Sequence, residues 1–377
     1  MSEARRMLDL AARLALRGVG RVEPNPAVGC VLVKDGQVIG MGHHRRFGGP
    51  HAEREALADA KARGHDPRGC HVYVTLEPCA TTGKQPPCTE ALIEAGVARV
   101  TYARRDPHPQ KGGGHEVLEA AGIPCEESTE STLAIGVSAP FVKRVKTGMP
   151  WVIAKWAQTI DGRVATRTGE SKWISGEAAR RRVHRLRARV DAVLTGIGTV
   201  MADDPMLTAR GVPIRRRAMR VVADTDLDLP SESALARTAR EVPTLVACDK
   251  SLVGADIMRQ RQHELEALGV QLVPVPAGQR AGGGGAIDLT SLLRMLHVEH
   301  GVSTVMVEAG PGLLGSLIED DLVDEAVIYI APMLLGDELA KSVAVGRVAE
   351  QLKAARRYAL WRVRPVGDDI ELIYRRR

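Results

Sequence analysis

His51 and Glu53 stand two residues apart, and Cys79 and Cys88 follow, separated by the eight residues Ala80–Pro87. One imidazole and two thiolates can hold zinc tetrahedrally while leaving a fourth position open to water, the arrangement of a catalytic rather than a structural site. The Glu53 carboxylate can stand beside that water without binding the metal and move its proton in either direction. The plainer alternative makes His51 a helix-opening residue and the two cysteines structural. It leaves the joint order of imidazole, carboxylate and two thiols unused.

The elements around these residues alternate between helix and strand. Met7, Leu10 and Leu14 give the N-terminal segment one apolar face, which predicts an amphipathic helix. Gly29–Val33 and Gln37–Gly40 flank an Asp35-Gly36 turn and predict a hairpin. Ala52, Ala56, Leu57 and Ala60 have helical spacing within His51–Arg63, His71–Leu76 reads as a strand, Thr89–Ala95 as a helix stopped by Gly96, and Arg99–Ala103 as a further strand. His51 and the cysteines then meet near helix N-termini, whose positive end favours thiolate over thiol. The order H-x-E, then P-C, then C is the pattern of zinc deaminases that act on nucleobases.

The 377 residues are comfortable for two domains. Hydrophobic residues make up 44% and aromatics only 3%, so the cores must be aliphatic. A net charge of +6 suits an anionic partner or simply a solvated basic surface. No apolar run approaches the ~18 residues that span a bilayer, and the charged N-terminal segment lacks the apolar stretch of a signal peptide. Six cysteines (30, 70, 79, 88, 125 and 248) are too few for a disulfide framework, which points to a reducing cytoplasm with two thiols on metal and four buried.

A basic, turn-rich stretch at Lys143–Pro150 marks a boundary, giving domains 1–146 and 150–377. Beyond it, strands are predicted at Trp151–Trp156, Ala192–Thr195, Met219–Ala223, Thr244–Ala247, Thr304–Val307 and Glu325–Ile330, mostly with helical patterns between them. This second half is also α/β. Ala277–Gly285 reads as a flexible surface loop. No G-x-G-x-x-G fingerprint follows a first strand, and Gly196-Ile197-Gly198 is too short to serve as one. The glycines after Thr304–Val307, from Gly310 to Gly315, can bring phosphate to main-chain N–H groups at a helix start, although an ordinary turn would look the same. In the basic runs Arg180–Arg189 and Arg215–Arg220, Val183, Leu186 and Val190 keep an apolar face and the arginines are expected to be mostly solvated.

The segments T-L-E-P-C-A-T-T-G-K-Q-P-P-C-T-E, P-N-P-A-V-G-C-V-L-V-K-D-G and G-G-P-H-A-E resemble the deaminase half of the bacterial bifunctional riboflavin-biosynthesis deaminase/reductase family. A-K-W-A-Q-T-I-D-G-R-V-A, L-T-G-I-G-T-V-M-A-D-D-P-M-L-T-A-R and V-E-A-G-P-G-L-L-G-S-L resemble its reductase half, so the likeness spans nearly the whole chain. It implies a cytidine-deaminase-like three-layer α/β/α domain followed by a dihydrofolate-reductase-like α/β domain. It also implies a phosphoribosylated diaminopyrimidinone substrate, zinc and NADPH, and a homo-oligomer without nucleic-acid or membrane partners. The resemblance places zinc on His51, Cys79 and Cys88, catalysis on Glu53, and substrate contacts at Asn25, His44 and Lys84. In the second half it places NADPH against Ala157, Trp173, Thr199, Asp203, Thr225, Gly310, Pro311, Gly312, Leu313, Leu314, Gly315 and Ser316. It places substrate against Lys155, Ser171, Arg187, Leu207, Arg210 and Glu308, with Arg187 and Arg210 as a bidentate phosphate clamp and Asp203, or structurally Asp204, nearby. The chain departs from the family at Ala80-Thr81-Thr82, where a His-bearing triplet is usual, at Glu55, where His is usual, and at His108, where Asn is usual.

Two other readings compete. One keeps the reductase and leaves the deaminase weak or altered through Thr81 and Thr82. The other is a nucleic-acid deaminase, which calls for C-x-x-C and many stacking aromatics, whereas the chain has two Phe and five Tyr.

Overall fold

The structure, a computed structural model, describes residues 1–279, 285–346, 349 and 351–376. The chain divides into two compact units, Met1–Met149 and Pro150–Arg377.

The first unit runs α1 (Glu3–Ala15), β1 (Gly29–Lys34), β2 (Gln37–His43), α2 (Ala52–Ala62), β3 (His71–Val74), α3 (Cys88–Glu94), β4 (Arg99–Tyr102), α4 (Gly114–Ala120), β5 (Cys125–Glu127), α5 (Thr132–Val137) and α6 (Ala139–Thr147). Asp35 and Gly36 both take positive φ, 51° and 71°, which is the two-residue turn that closes β1 onto β2. The sheet order is β2-β1-β3-β4-β5, antiparallel through β1 and parallel from β3 to β5. Leu8, Ala11 and Ala12 of α1 and Ala134 of α5 pack with Val31, Val33 and Tyr73 in one core cluster. Ala56, Leu57 and Ala60 of α2 and Leu92 of α3 pack with Cys30, Leu32, Val72 and Val74 in another, which gives three layers. The buried stripe of α1 runs through Leu8, Ala11, Ala12, Leu14 and Ala15, so Leu14 of the expected face lies in it, while Met7 and Leu10 pack half-buried at its flank.

Helix α2 lies unusually close to β2. A Cβ on Gly42 would stand 2.3 Å from the Ala52 carbonyl oxygen, and one on Gly40 would stand 2.5 Å from that of Ala56. The Lys143–Pro150 stretch is not a linker throughout, because Lys143–Thr147 completes α6. Pro140 occupies its first turn, Arg144 and Lys146 oppose the dipole at its end, and Gly148 stops it at φ 65°.

The second unit runs β6 (Trp151–Gln158), β7 (Arg163–Ala165), α7 (Glu177–Arg187), β8 (Ala192–Gly196), α8 (Ile197–Asp203), β9 (Met219–Ala223), α9 (Ala234–Arg237), β10 (Thr244–Asp249), α10 (Arg259–Ala267), β11 (Gln271–Val275), β12 (Ala277–Gln279), β13 (Gly285–Ile287), α11 (Leu289–His300), β14 (Thr304–Val307), α12 (Pro311–Glu319), β15 (Glu325–Ile330), β16 (Lys341–Ser342), β17 (Tyr358–Val366) and β18 (Asp369–Arg376). Its large sheet has the order β11-β10-β9-β8-β14-β6-β15-β18-β17. It is parallel from β11 to β15 and ends in an antiparallel hairpin.

The Gly-rich segment begins and ends in structure: Ala277–Gln279 pairs with Gly285–Ile287, and residues 280–284 lie outside the described residues. The basic runs are not mainly solvated. Arg181, Arg185, Arg215 and Arg217 are exposed, but Arg182 pairs with the buried Glu371 and Arg216 with Asp191. Arg220 is fully buried and bonded to Thr238, Thr244 and the carbonyls of Leu235 and Val242. A guanidinium taken from water must find such partners, which here lie far along the chain.

Candidate active sites

The first site assembles at two helix starts. His51 is the N-cap of α2, and Cys88 is the first residue of α3. The His51 Nδ1 lies 3.5 Å from Cys79 Sγ and 3.3 Å from Cys88 Sγ, and the three ligand atoms fall within 4.8 Å of one another. A nitrogen and a sulfur bound to one tetrahedral zinc are separated by about 3.5 Å, so this donor set fits the ion. The Cys88 main-chain N–H points at Cys79 Sγ at 3.4 Å, the orientation that stabilises a thiolate. Hydrogen bonding from Cys88 and His51 holds the Cys79 thiol down, and bonding to Cys79 together with burial holds Cys88 up. Bonding to Cys79 raises His51. Glu53 is 3% exposed, and burial, reinforced by the charge of Cys79, pushes its carboxyl up.

Asn25, His44 and Lys84 are all tied locally. Asn25 Nδ2 donates to His44 Nε2 at 3.2 Å, His44 Nδ1 donates to the Pro50 carbonyl at 2.9 Å, and the His44 ring meets His51 edge-on at 5.3 Å. The Lys84 ammonium sits over the Phe47 ring at 4.1 Å, and Gln85 donates to the Gly48 carbonyl, so the inter-cysteine loop rests on the loop before His51. The residues that depart from the family also have partners. Thr81 donates to the Gln110 carbonyl at 2.9 Å, His108 Nδ1 accepts from Gln110 N, and Glu55 pairs with Arg45 at 2.8 Å. Sequence reasoning passed over Arg54, which donates to the Pro87 carbonyl and ties α2 to the residue before Cys88. It also passed over Glu77, which accepts the N–H groups of Asp106 and His115 and fixes the loop between them.

The second site is a cleft of about 1710 Å³ along the carboxyl ends of the parallel strands, where α/β sheets place their ligands. Lys155, Ala157, Ser171, Trp173, Arg187, Thr199, Asp203, Leu207, Arg210, Thr225, Glu308, Gly310, Pro311, Gly312, Leu313 and Ser316 line it. Leu314 and Gly315 are a correction: neither lines the cleft. Leu314 is 2% exposed in the core, and a Cβ on Gly315 would stand 1.8 Å from the Val345 carbonyl oxygen. At about 100° per residue α12 turns these two positions away from the face that carries Leu313 and Ser316.

Glu308, its side chain 10% exposed, lies between two cations. Arg187 meets it with Nε and Nη2, the latter at 2.9 Å, and Lys155 Nζ is 3.2 Å away. Burial alone would raise this carboxyl, but Arg187 and Lys155 outweigh it and hold it at about 2. The expected clamp of Arg187 and Arg210 is therefore modified, since the fork of Arg187 is already committed to Glu308 and its Nη1 donates to the Thr208 carbonyl at 3.1 Å. Five N–H groups less these three leaves one on each terminal nitrogen. Thr199 Oγ1 accepts the Gly310 N–H at 3.0 Å and sets the glycine turn. Asp203 pairs with Lys172, whereas Asp204 accepts the Ala234 N–H at the start of α9 and is structural. Trp173 is 68% exposed and stacks on Arg180. The hairpin residues Gly278, Ala286 and Ile287 join the cleft wall, which no local sequence signal announced.

Residues 1–104 match the cytidine and deoxycytidylate deaminase zinc-binding region, and residues 150–370 match the RibD C-terminal domain. The chain is 35% identical to the riboflavin biosynthesis protein RibD of Aquifex aeolicus, covering 98% of this chain and 97% of that one. It is 38% identical to RibD of Escherichia coli, over 96% of each. It also resembles the crystal structure of a diaminohydroxyphosphoribosylaminopyrimidine deaminase/5-amino-6-(5-phosphoribosylamino)uracil reductase from Thermotoga maritima, with 30% identity, a TM-score of 0.78 and 99% of each chain covered. Fold and sites thus define a two-domain enzyme, a zinc-binding deaminase joined to an NADPH-linked reductase. The chain belongs to the RibD family of bifunctional deaminase/reductases of riboflavin biosynthesis.

Proposed function

We propose that the first unit hydrolyses the ring amine of 2,5-diamino-6-(5-phosphoribosylamino)pyrimidin-4-one and that the second reduces the ribosyl group of the product to ribityl. The observation that carries this reading is the buried Glu53 beside a His51, Cys79 and Cys88 cluster of zinc dimensions. Zinc supplies the Lewis acidity that makes water a nucleophile at neutral pH. Glu53 takes the proton of the attacking water and passes it to the departing amine, which leaves as ammonia. Asn25 and His44 orient the base, and Lys84 meets the phosphate.

In the second unit NADPH supplies the hydride to the anomeric carbon of the ring-opened, imine-like sugar. The turn Gly310–Gly312 and Thr199, Thr225, Ala157, Trp173, Asp203, Leu313 and Ser316 hold the dinucleotide. Arg210 and the remaining N–H groups of Arg187 meet the substrate phosphate. Ionised Glu308 accepts from ribose hydroxyls, with Lys155, Ser171 and Leu207 completing that wall.

Among the described residues no helix is long and apolar enough to cross a membrane. A cytoplasmic setting is supported by six free cysteines. A homo-oligomer is supported by the outermost hairpin. The bulge at Trp361 puts Leu360, Val363 and Ile370 on one face, and all three are exposed.

The test supplies purified enzyme with the diaminopyrimidinone ribosyl phosphate and follows product mass. Loss of the amino group without NADPH, then a gain of two hydrogens with it, is the expected outcome. Retention of the amine, or no hydrogen gain when the deaminated intermediate is supplied directly, would refute the corresponding half.

A further inference from the structure

Among the residues of helix α7 that line the cleft, two stand one turn apart near its end, and only Arg187 of these has a role so far. The other is His184, which also lines the cleft. Its Nδ1 lies 3.2 Å from the main-chain N–H of Arg210 and accepts from it. A ring nitrogen that accepts carries no proton, so the proton of a neutral ring resides on Nε2. One turn on, Arg187 Nη1 donates to the carbonyl of Thr208. The two ends of Thr208–Arg210 are thus pinned by one helix face, through an N–H at one end and a carbonyl at the other. The segment needs such support, because Leu207, which precedes it, is 3% exposed and held at φ 51°, a conformation that costs a leucine energy.

We infer that His184 is a positioning residue of the reductase, and that its neutral ring holds the loop carrying Leu207 and Arg210 in the geometry that receives the substrate phosphate. The inference rests on the reading of Arg210 as a phosphate contact given above. The groups facing His184 are the guanidinium groups of Arg187 and Arg210, the Glu308 carboxylate and the Thr208 carbonyl. Burial first, then the two arginines, lower its pKa below the ordinary histidine value, which keeps the acceptor lone pair available at neutral pH. Protonation converts Nδ1 to a donor facing another donor, and the Arg210 end of the loop loses this tie while Arg187 still holds the Thr208 end.

The experiment measures reductase kinetics on the deaminated intermediate with NADPH saturating. His184→Leu is expected to raise KM for that substrate about fivefold, the effect of one uncharged hydrogen bond, with kcat and the KM for NADPH little changed. His184→Asn, whose side-chain oxygen falls where Nδ1 stands, recovers most of the loss. In the wild type KM climbs as pH falls below the ordinary histidine range, more steeply than titration of the substrate phosphate alone requires, and the Asn variant lacks this extra climb. Circular dichroism and melting confirm that each variant is folded. An unchanged KM in His184→Leu, a failure of Asn to restore it, or superimposable pH profiles would overturn the inference. Arg210→Ala separates the two levels. If it leaves KM unchanged, the phosphate-site reading itself fails and the role of His184 falls with it. If it raises KM while His184→Leu does not, only the positioning role is wrong.

Discussion

The four functional groups of the zinc site come from residues 51–88, and three of them converge within 4.8 Å. The reductase cleft draws its lining from residues 155–341, from seven or more elements, and encloses about 1710 Å³. The first site is a single point of chemistry whose parts work as a unit. The second is a surface that orients two large molecules, and its polar groups are mostly engaged with one another before any ligand arrives, as Glu308 is with Arg187 and Lys155. Metal chemistry concentrates its demands on a few atoms, whereas hydride transfer spreads them over everything that positions cofactor and substrate. Loss of a part should therefore be all-or-none in the first site and graded in the second.

The sharpest break comes from Cys88→Ser and Glu53→Gln. Cys88→Ser should abolish both metal content, measured by elemental analysis, and ammonia release. Glu53→Gln should keep the zinc yet lower the deaminase about 10³-fold, in the range for a removed general acid/base. Both should leave reduction of the directly supplied intermediate intact. Loss of the reductase as well would erase the contrast.

In the cleft, Glu308→Gln leaves Arg187 buried without its counter-charge and should cost about 3–5 kcal/mol in chemical denaturation. The sign with pH follows from the folded carboxyl lying at about 2, below its ordinary value near 4.3. The stabilisation is complete above the ordinary value and drains only as pH falls toward 2. Melting temperature should thus show an acid branch in the wild type that Glu308→Gln lacks, with no pH dependence from this group between pH 6 and 8.

Leu313→Ala and Leu314→Ala sharpen the helical phase of α12. Leu314→Ala should cost about 2–3 kcal/mol of stability and leave the KM for NADPH alone, as a core truncation does. Leu313→Ala, on the cleft side, should shift that KM severalfold. The smallest effect belongs to Arg45→Ala. It breaks a pair between an exposed guanidinium and the half-buried Glu55 and should change stability by less than about 1 kcal/mol.

The alternation of strands and helices was legible because burial imposes a period that any apolar residue can satisfy. The zinc cluster was legible because the metal dictates residue types and leaves little choice of spacing. What stayed hidden depended on partners remote in the chain. Arg182 and Arg216 read as solvated charges until Glu371 and Asp191 were brought to them. Leu314 and Gly315 matched a family motif, but only the phase of α12 decides which way they face. Lys143–Thr147 looked like a linker because its charges, spread on a helix end, mask the periodicity. Beta strands 12 and 13 escaped notice because glycine and alanine carry no pattern.

The contact of α2 with β2 has a consequence for where variation in this enzyme is tolerated. Gly40 and Gly42 let the helix settle onto the sheet, and the atom that a methyl group on Gly42 would strike belongs to Ala52, the residue between His51 and Glu53. The depth of a metal ligand and of a catalytic carboxylate is thus written partly in two positions that have no side chain. A survey that ranked residues by chemical reactivity would rank these glycines last, yet a single added carbon there lifts the reactive pair out of register with the cysteines.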